Sequence, residues 1–259
     1  MKYFLFCFFL FSCQSKSIER HIKEAELSVA SGDFEKAASR YHNLAQDYEE
    51  HPESVAWLMQ SAELLELRLH DEEALKRYQQ VVEKNPLGNF GKEARKRRAA
   101  LFERLGLIQE YLEEYTQLLK YYGSDAEAPL YRLRIAEGFI MADQYEQARL
   151  ELKTILFDPD FPKNLLEQAF FDLGETFYLQ DRYHEAQNIY EEFLRRYPLS
   201  TLSGEVYLKL SHTLEVQGYL GDAYRVLLLA RDLYPDPAVI EERLKRLAKR
   251  ARITPLGKD

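Results

Sequence analysis

Cysteine is nearly missing from this 259-residue chain: Cys7 and Cys13 are the only two, both within the first thirteen positions. The rest of the chain can therefore be held together neither by disulfides nor by a cysteine-based metal knuckle. Six histidines are present, His21, His42, His51, His70, His184 and His212, but none forms an HExxH pair or a close ligand pair with cysteine. Phosphate cradles are lacking too. Gly88-Asn89-Phe90-Gly91 and Gly218-Tyr219-Leu220-Gly221 have neither the spacing nor the following Lys-Ser/Thr that such a loop needs. No GxSxG elbow or serine-histidine-acid order stands out. Basic charge is short as well, since 35 Lys and Arg against 43 Asp and Glu leave a net charge of -8. That balance argues against general affinity for nucleic acid or an anionic bilayer. Neither metal, cofactor, small-molecule substrate nor catalysis is expected.

What the chain has instead is a register. A helix-packing slot recurs at Ala37, Ala74, Tyr111, Ala148, Ala186 and Ala223, at intervals of 37, 37, 37, 38 and 37 residues. A fixed period of this size means stacked supersecondary units, each burying an apolar face against its neighbours. Twelve residues before each slot stands a small side chain: Ala25, Ala62, Ala99, Ala136, Gly174 or Ser211. Small residues at both places let two antiparallel helices cross closely. Four after the slot come Tyr41, Tyr78, Tyr115, Leu152, Tyr190 and Leu227, and three further on Leu44, Val81, Leu118, Ile155, Phe193 and Ala230. These share one face of a 3.6-residue helix and make its core stripe. Turn residues such as Ser31-Gly32-Asp33, Ala142-Asp143-Gln144 and Gln217-Gly218 separate the two helices of each pair, and Pro86, Pro198 and Pro235 close the second one. The Phe157-Asp158-Pro159-Asp160-Phe161-Pro162 junction is the expected place of the one extra residue.

The best copy runs Phe170-x2-Leu173-Gly174-x2-Phe177-x8-Ala186-x3-Tyr190-x2-Phe193-x4-Pro198. In this spacing the chain resembles the tetratricopeptide repeat, although that family's period is shorter. The longer units, with endings such as Arg195-Arg196-Tyr197-Pro198, are similar to those of bacterial envelope lipoproteins of the BamD and YbgF/CpoB type. The resemblance implies an all-α fold: a right-handed α-solenoid of about six helical hairpins over residues 18–235, with a C-terminal capping helix and tail over 236–259. Arg243, Lys245, Arg246, Lys249, Arg250 and Arg252 make that last segment basic, and two readings stand for it: a cap basic toward water, or a basic dock for an acidic partner or lipid headgroups. The run from Lys92 to Arg98, and pairs such as Glu113-Glu114, read as solvated helix surface.

The start of the chain, Met1-Lys2 and then Tyr3 to Phe11, is one cation followed by an apolar stretch too short to span a bilayer, which takes roughly 20 residues. Leu10-Phe11-Ser12-Cys13 resembles a lipobox. The expectation is a signal peptide over 1–12 cleaved before Cys13, lipid attached at Cys13, and a short tether over 13–17. An uncleaved anchor with a chance cysteine is the alternative. Gln14 resembles the residue that lets lipoproteins proceed to the outer membrane, so a periplasm-facing lipoprotein of that membrane is expected.

If the resemblance carries over, the first helices line the inner wall and present a groove. Its expected residues are Met59, Glu63, Leu133, Glu137, Phe171, Glu175, Tyr178 and Leu208, apolar pegs beside an acidic ladder. Such a surface would take a protein or peptide with apolar and basic side chains. The bland alternative is that the glutamates are solvated surface and the pegs pack within the chain. The family resemblance implies a scaffold that binds other envelope proteins, in outer-membrane protein assembly or, alternatively, as an adaptor coordinating constriction with cell-wall synthesis.

Overall fold

A computed structural model describes residues 17–252 except residue 159, and all its regular structure is α-helical. The described residues fall into two compact units, the first ending at Tyr121 and the second beginning at Tyr122. In the first, helix α1 (residues 17–30) is followed by α2 (Phe34–Asp47), α3 (Ser54–Leu67), α4 (Asp71–Lys84), α5 (Asn89–Arg104) and α6 (Ile108–Tyr122), whose last residue crosses the boundary. The second holds α7 (Ala128–Met141), α8 (Tyr145–Leu156), α9 (Lys163–Tyr178), α10 (Tyr183–Arg196), α11 (Ser203–Val216), α12 (Leu220–Ala230) and α13 (Pro237–Ala251).

The register predicted from sequence is written into the backbone. Five residues before each slot the chain turns left-handed: Gly32, Leu69, Gly106, Asp143, Asp181 and Gly218 all have φ between 56° and 87°. At every one of these turns the next residue's N–H reaches back to the carbonyl nine before the slot, as in Asp33 to Ser28, Leu107 to Phe102 and Arg182 to Phe177. The left-handed residue itself donates to the carbonyl eight before the slot, as Gly32 does to Val29 and Gly218 to Glu215. This is the Schellman closure, which satisfies carbonyls left over at the end of each first helix. The second helix then starts at once, because the slot N–H donates to the residue four before it in all six hairpins.

Packing follows from the small residues. All five slot alanines are fully buried and Tyr111 nearly so, as are Ala25, Ala62, Ala99, Ala136 and Ser211 opposite them. Gly174 shows how tight the crossing is: a Cβ there would lie 2.4 Å from Cε1 of Tyr190. Two serines add hydrogen bonds at 2.8 Å, Ser211 Oγ donating to the carbonyl of Ala223 across a hairpin's own crossing and Ser61 Oγ to that of Ala38 between successive hairpins. In the first unit the core gathers Tyr41, Leu44, Trp57, Leu58, Leu65, Tyr78, Val81 and Leu101. In the second it gathers Phe170, Tyr190, Phe193, Val206, Leu214 and Leu227, with a neighbouring cluster around Leu152, Ile155 and Phe161.

Helix α13 is launched by Asp236, whose carboxylate accepts from the N–H of Ala238 at 3.0 Å, with Pro237 in the first turn. Ile240, Leu244, Leu247 and Ala248 are buried in the same core as α11 and α12. Burial of this apolar stripe is the capping role that the sequence pattern predicts.

Candidate interaction face

In the second unit, the first helices α7, α9 and α11 carry a common strip of half-buried polar and aromatic side chains. Glu175 on α9 accepts from the hydroxyl of Tyr190 on α10 and from Nζ of Lys209 on α11. One turn on, the Tyr178 hydroxyl and His212 Nδ1 share a hydrogen bond of 2.6 Å, and Lys209 sits 5.0 Å over the Tyr178 ring. Glu137 on α7 accepts from Arg134 at 2.7 Å. Leu208 is half-buried beside this network. Glu137, Glu175, Tyr178 and Leu208, four of the residues expected to line a groove, are thus brought onto the faces of three neighbouring first helices.

The other apolar pegs are placed differently. Met59, Leu133 and Phe171 are 5 %, 2 % and 7 % exposed and belong to the cores, so they do not stand free as anchors. Each shares its core cluster with the first helix of the following hairpin, Met59 with Leu101, Leu133 with Leu173 and Phe171 with Leu210, whereas Leu208, also fifteen residues before its slot, sits in a hairpin followed by α13. The acidic ladder is corrected too. Part of its charge is matched within the chain: Lys209, fourteen residues before the slot of the following hairpin, answers Glu175, Arg134 on the same helix answers Glu137, and Arg97 lies 3.9 Å from Glu66, one turn on from Glu63. That register of bases was available in the sequence as Arg97, Arg134 and Lys209.

Glu63 is exposed in the first unit, yet its carboxyl is raised above the ordinary range by partial desolvation and by the nearby acids Glu66 and Glu93, against the pull of Arg97. Tyr78 donates to Glu66 at 2.6 Å, the counterpart of the Tyr190–Glu175 contact. Two expectations for this unit are overturned. Glu114 is 4 % exposed rather than surface charge, and Arg95 and Arg98 reach it at 3.0 and 2.6 Å with side chains only 12 % and 16 % exposed. These arginines are thus not part of a solvated face. Their partners come from a different helix, α6, which patterning along a single helix does not show.

Asp172, which no sequence pattern singles out, occupies the position where the sibling hairpins place Arg97, Arg134 and Lys209. It is 7 % exposed; Gln168 Nε2 donates to its Oδ1 at 2.8 Å while Oδ2 has no hydrogen-bond partner. Burial, reinforced by Glu137 and Glu175, pushes its carboxyl up to about 7. A second buried charge, Arg149, lies 4.8 Å over the Phe177 ring, and its guanidinium donates to the carbonyl of Thr176 at 3.3 Å and to Glu146.

Among the described residues no group of three or more His, Cys, Asp or Glu side chains could hold a metal ion, and no helix is long and apolar enough to cross a membrane. Cys13 and the apolar start of the chain lie outside the described residues.

The family model of the tetratricopeptide repeat matches residues 168–200, which take in the larger part of α9, all of α10 and the Gly174–Tyr190 contact. A comparison with curated protein sequences returns no match. Among solved structures, a tetratricopeptide repeat protein from Parabacteroides merdae is 17 % identical, with a TM-score of 0.54, 90 % of this chain and 99 % of that one being covered. MamA is 15 % identical with a TM-score of 0.55, over 80 % of this chain and all of that one. YrrB, whose structure is described as a tetratricopeptide protein with an unusual peptide-binding site, is 16 % identical with a TM-score of 0.52, over 77 % and 96 %. The chain is an all-α repeat protein of tetratricopeptide fold, and residues 168–200 carry the signature of that repeat.

Proposed function

We propose that this chain is a non-catalytic scaffold that captures a polypeptide on the first helices of its second unit. One observation carries this reading: Glu137, Glu175, Tyr178, Leu208 and His212 are half-buried on α7, α9 and α11, and the last four are joined by hydrogen bonds or adjacency across α9 and α11. A strip of aromatic, aliphatic and internally balanced polar groups favours a peptide anchored by apolar side chains, with hydrogen bonds fixing its register. The peptide-binding site described for YrrB, on the same fold, supports the reading without naming a ligand for this chain.

The proposal places this scaffold in the bacterial cell envelope, held by lipid at Cys13 on the periplasmic side of the outer membrane. Its support is the apolar start of the chain, the Leu10-Phe11-Ser12-Cys13 sequence and Gln14. Two acyl chains suffice for stable anchoring, since each buried CH₂ contributes about 0.8 kcal/mol. Service in outer-membrane protein assembly is the first reading, and an adaptor role between envelope constriction and wall synthesis is the second; both rest on the resemblance to BamD-type and YbgF/CpoB-type lipoproteins. Mass spectrometry of protein purified from membranes should show an acyl mass on Cys13 that Cys13→Ala abolishes. An unmodified soluble protein would remove the anchoring claim. Crosslinked capture from envelopes separates the two roles, since barrel-assembly and division components are distinct sets.

A further inference from the structure

Helix α13 does more than cap. Its arginines Arg243, Arg246 and Arg250, spaced three and four residues apart, share one edge of the helix. With His212, Glu215 and Leu247 they line a cavity of about 360 Å³ between α11 and α13. Glu215 accepts from Arg250 and lies 3.7 Å from Arg243, with a side chain only 17 % exposed. Arg246 has only the mostly exposed Glu242, at 3.9 Å, a screened pair of little strength. Three guanidiniums therefore face one carboxylate, and the cavity carries an excess of positive charge. His212 registers that field: burial, then Arg243, hold its imidazole below the usual histidine range, with Lys209 acting the same way and Glu215 opposing.

We propose that this cavity binds an acidic side chain of a partner polypeptide, the guanidiniums of Arg243 and Arg246 gripping its carboxylate. A planar fork matches a carboxylate's two oxygens. The site is continuous with a peptide-sized strip, because His212 is bonded to Tyr178 and Leu208 lies one turn earlier on α11. A flat anionic membrane would instead meet Lys245 and Lys249, which are exposed on a different side of α13, roughly a third of a turn round. The acid is of opposite sign to the basic side chains expected from the sequence. The inference therefore stands whether or not α7 and α9 hold a ligand.

The test uses the full chain with isotope-labelled histidine. The probes are a short end-blocked peptide with paired glutamates between leucines, its glutamine counterpart, inorganic phosphate, and vesicles containing phosphatidylglycerol. The glutamate peptide should bind and raise the pKa of His212 while the other five histidines stay put, the signal being assigned by His212→Gln. Arg246→Gln, at an exposed position, should weaken binding about tenfold. Glu215→Gln should tighten it, since the resident carboxylate competes with the incoming one; a merely structural Glu215 would give the opposite. Equal binding of the glutamine peptide, binding by phosphate or vesicles alone, or no movement of His212 would each overturn the proposal.

Discussion

A leucine in the left-handed region is the sharpest residue-scale anomaly. Leu69 has φ 61° at the position where three sibling hairpins have glycine and two have aspartate. Left-handed backbone costs a β-carbon-bearing residue about 1–2 kcal/mol, an expense glycine avoids at some cost in unfolded-state entropy. Leu69→Gly should therefore raise stability by about 0.5–1 kcal/mol in denaturant melts. Gly106→Ala should lower it by about 1 kcal/mol; nothing lies within 4 Å of the position a Cβ would take there, so the loss is conformational. Asp172 sets a pH dependence. Its carboxyl is raised to about 7 in the fold, so between roughly pH 4 and 7 the native state holds a proton that the unfolded chain has released. The stability contribution of this residue falls as pH rises through that window, and the loss is complete above about 7. Asp172→Asn should remove this slope and stabilise the protein at pH 8 by a few kcal/mol at most, on the order of the shift. Melts of both proteins at pH 5 and pH 8 measure it, and an unchanged difference between the two pH values would count against a buried, protonated Asp172.

At the scale of elements, the crossing of α9 and α10 depends on Gly174. An added methyl there meets the Tyr190 ring at 2.4 Å, and the ring is tethered by its hydroxyl to Glu175. Gly174→Ala should cost about 1–3 kcal/mol, as overpacked cores do, and Tyr190→Leu in the same chain should recover part of it. Truncating Leu247→Ala in α13 should cost about 2–4 kcal/mol by opening a cavity under the cap. The helices, their pairing and these crossings were all legible in sequence, because the slot and the small residue twelve before it are local and repeat. The site was legible only in part. Tyr178, Leu208, Glu137 and Glu175 fall on a shared half-buried strip, but a one-helix pattern says nothing of the neighbouring hairpin that buries Met59, Leu133 and Phe171. Nor does it show that Lys209 neutralises Glu175, or that Arg95 and Arg98 converge on Glu114 from another helix. Burial of those three side chains and the Lys209–Glu175 pair are contacts between repeats, while Arg95 and Arg98 meet Glu114 across the two helices of one hairpin; neither kind is readable from a single helix.

At the scale of the molecule, the register runs through two units, each with a buried core of its own. The interaction strip and the basic cavity both belong to the second, as does the stretch that matches the tetratricopeptide family. The central claim is that α9 and α11 present a polypeptide-binding strip. It is tested most directly by placing a photocrosslinking amino acid singly at position 178 or 208, with positions 150 and 191 on the second helices as controls, and irradiating intact cells. The account predicts a discrete protein adduct from 178 and 208, absent from both controls and lost from position 208 when Tyr178→Ala is added. Adducts of equal yield at all four positions, or from the second helices alone, would contradict it.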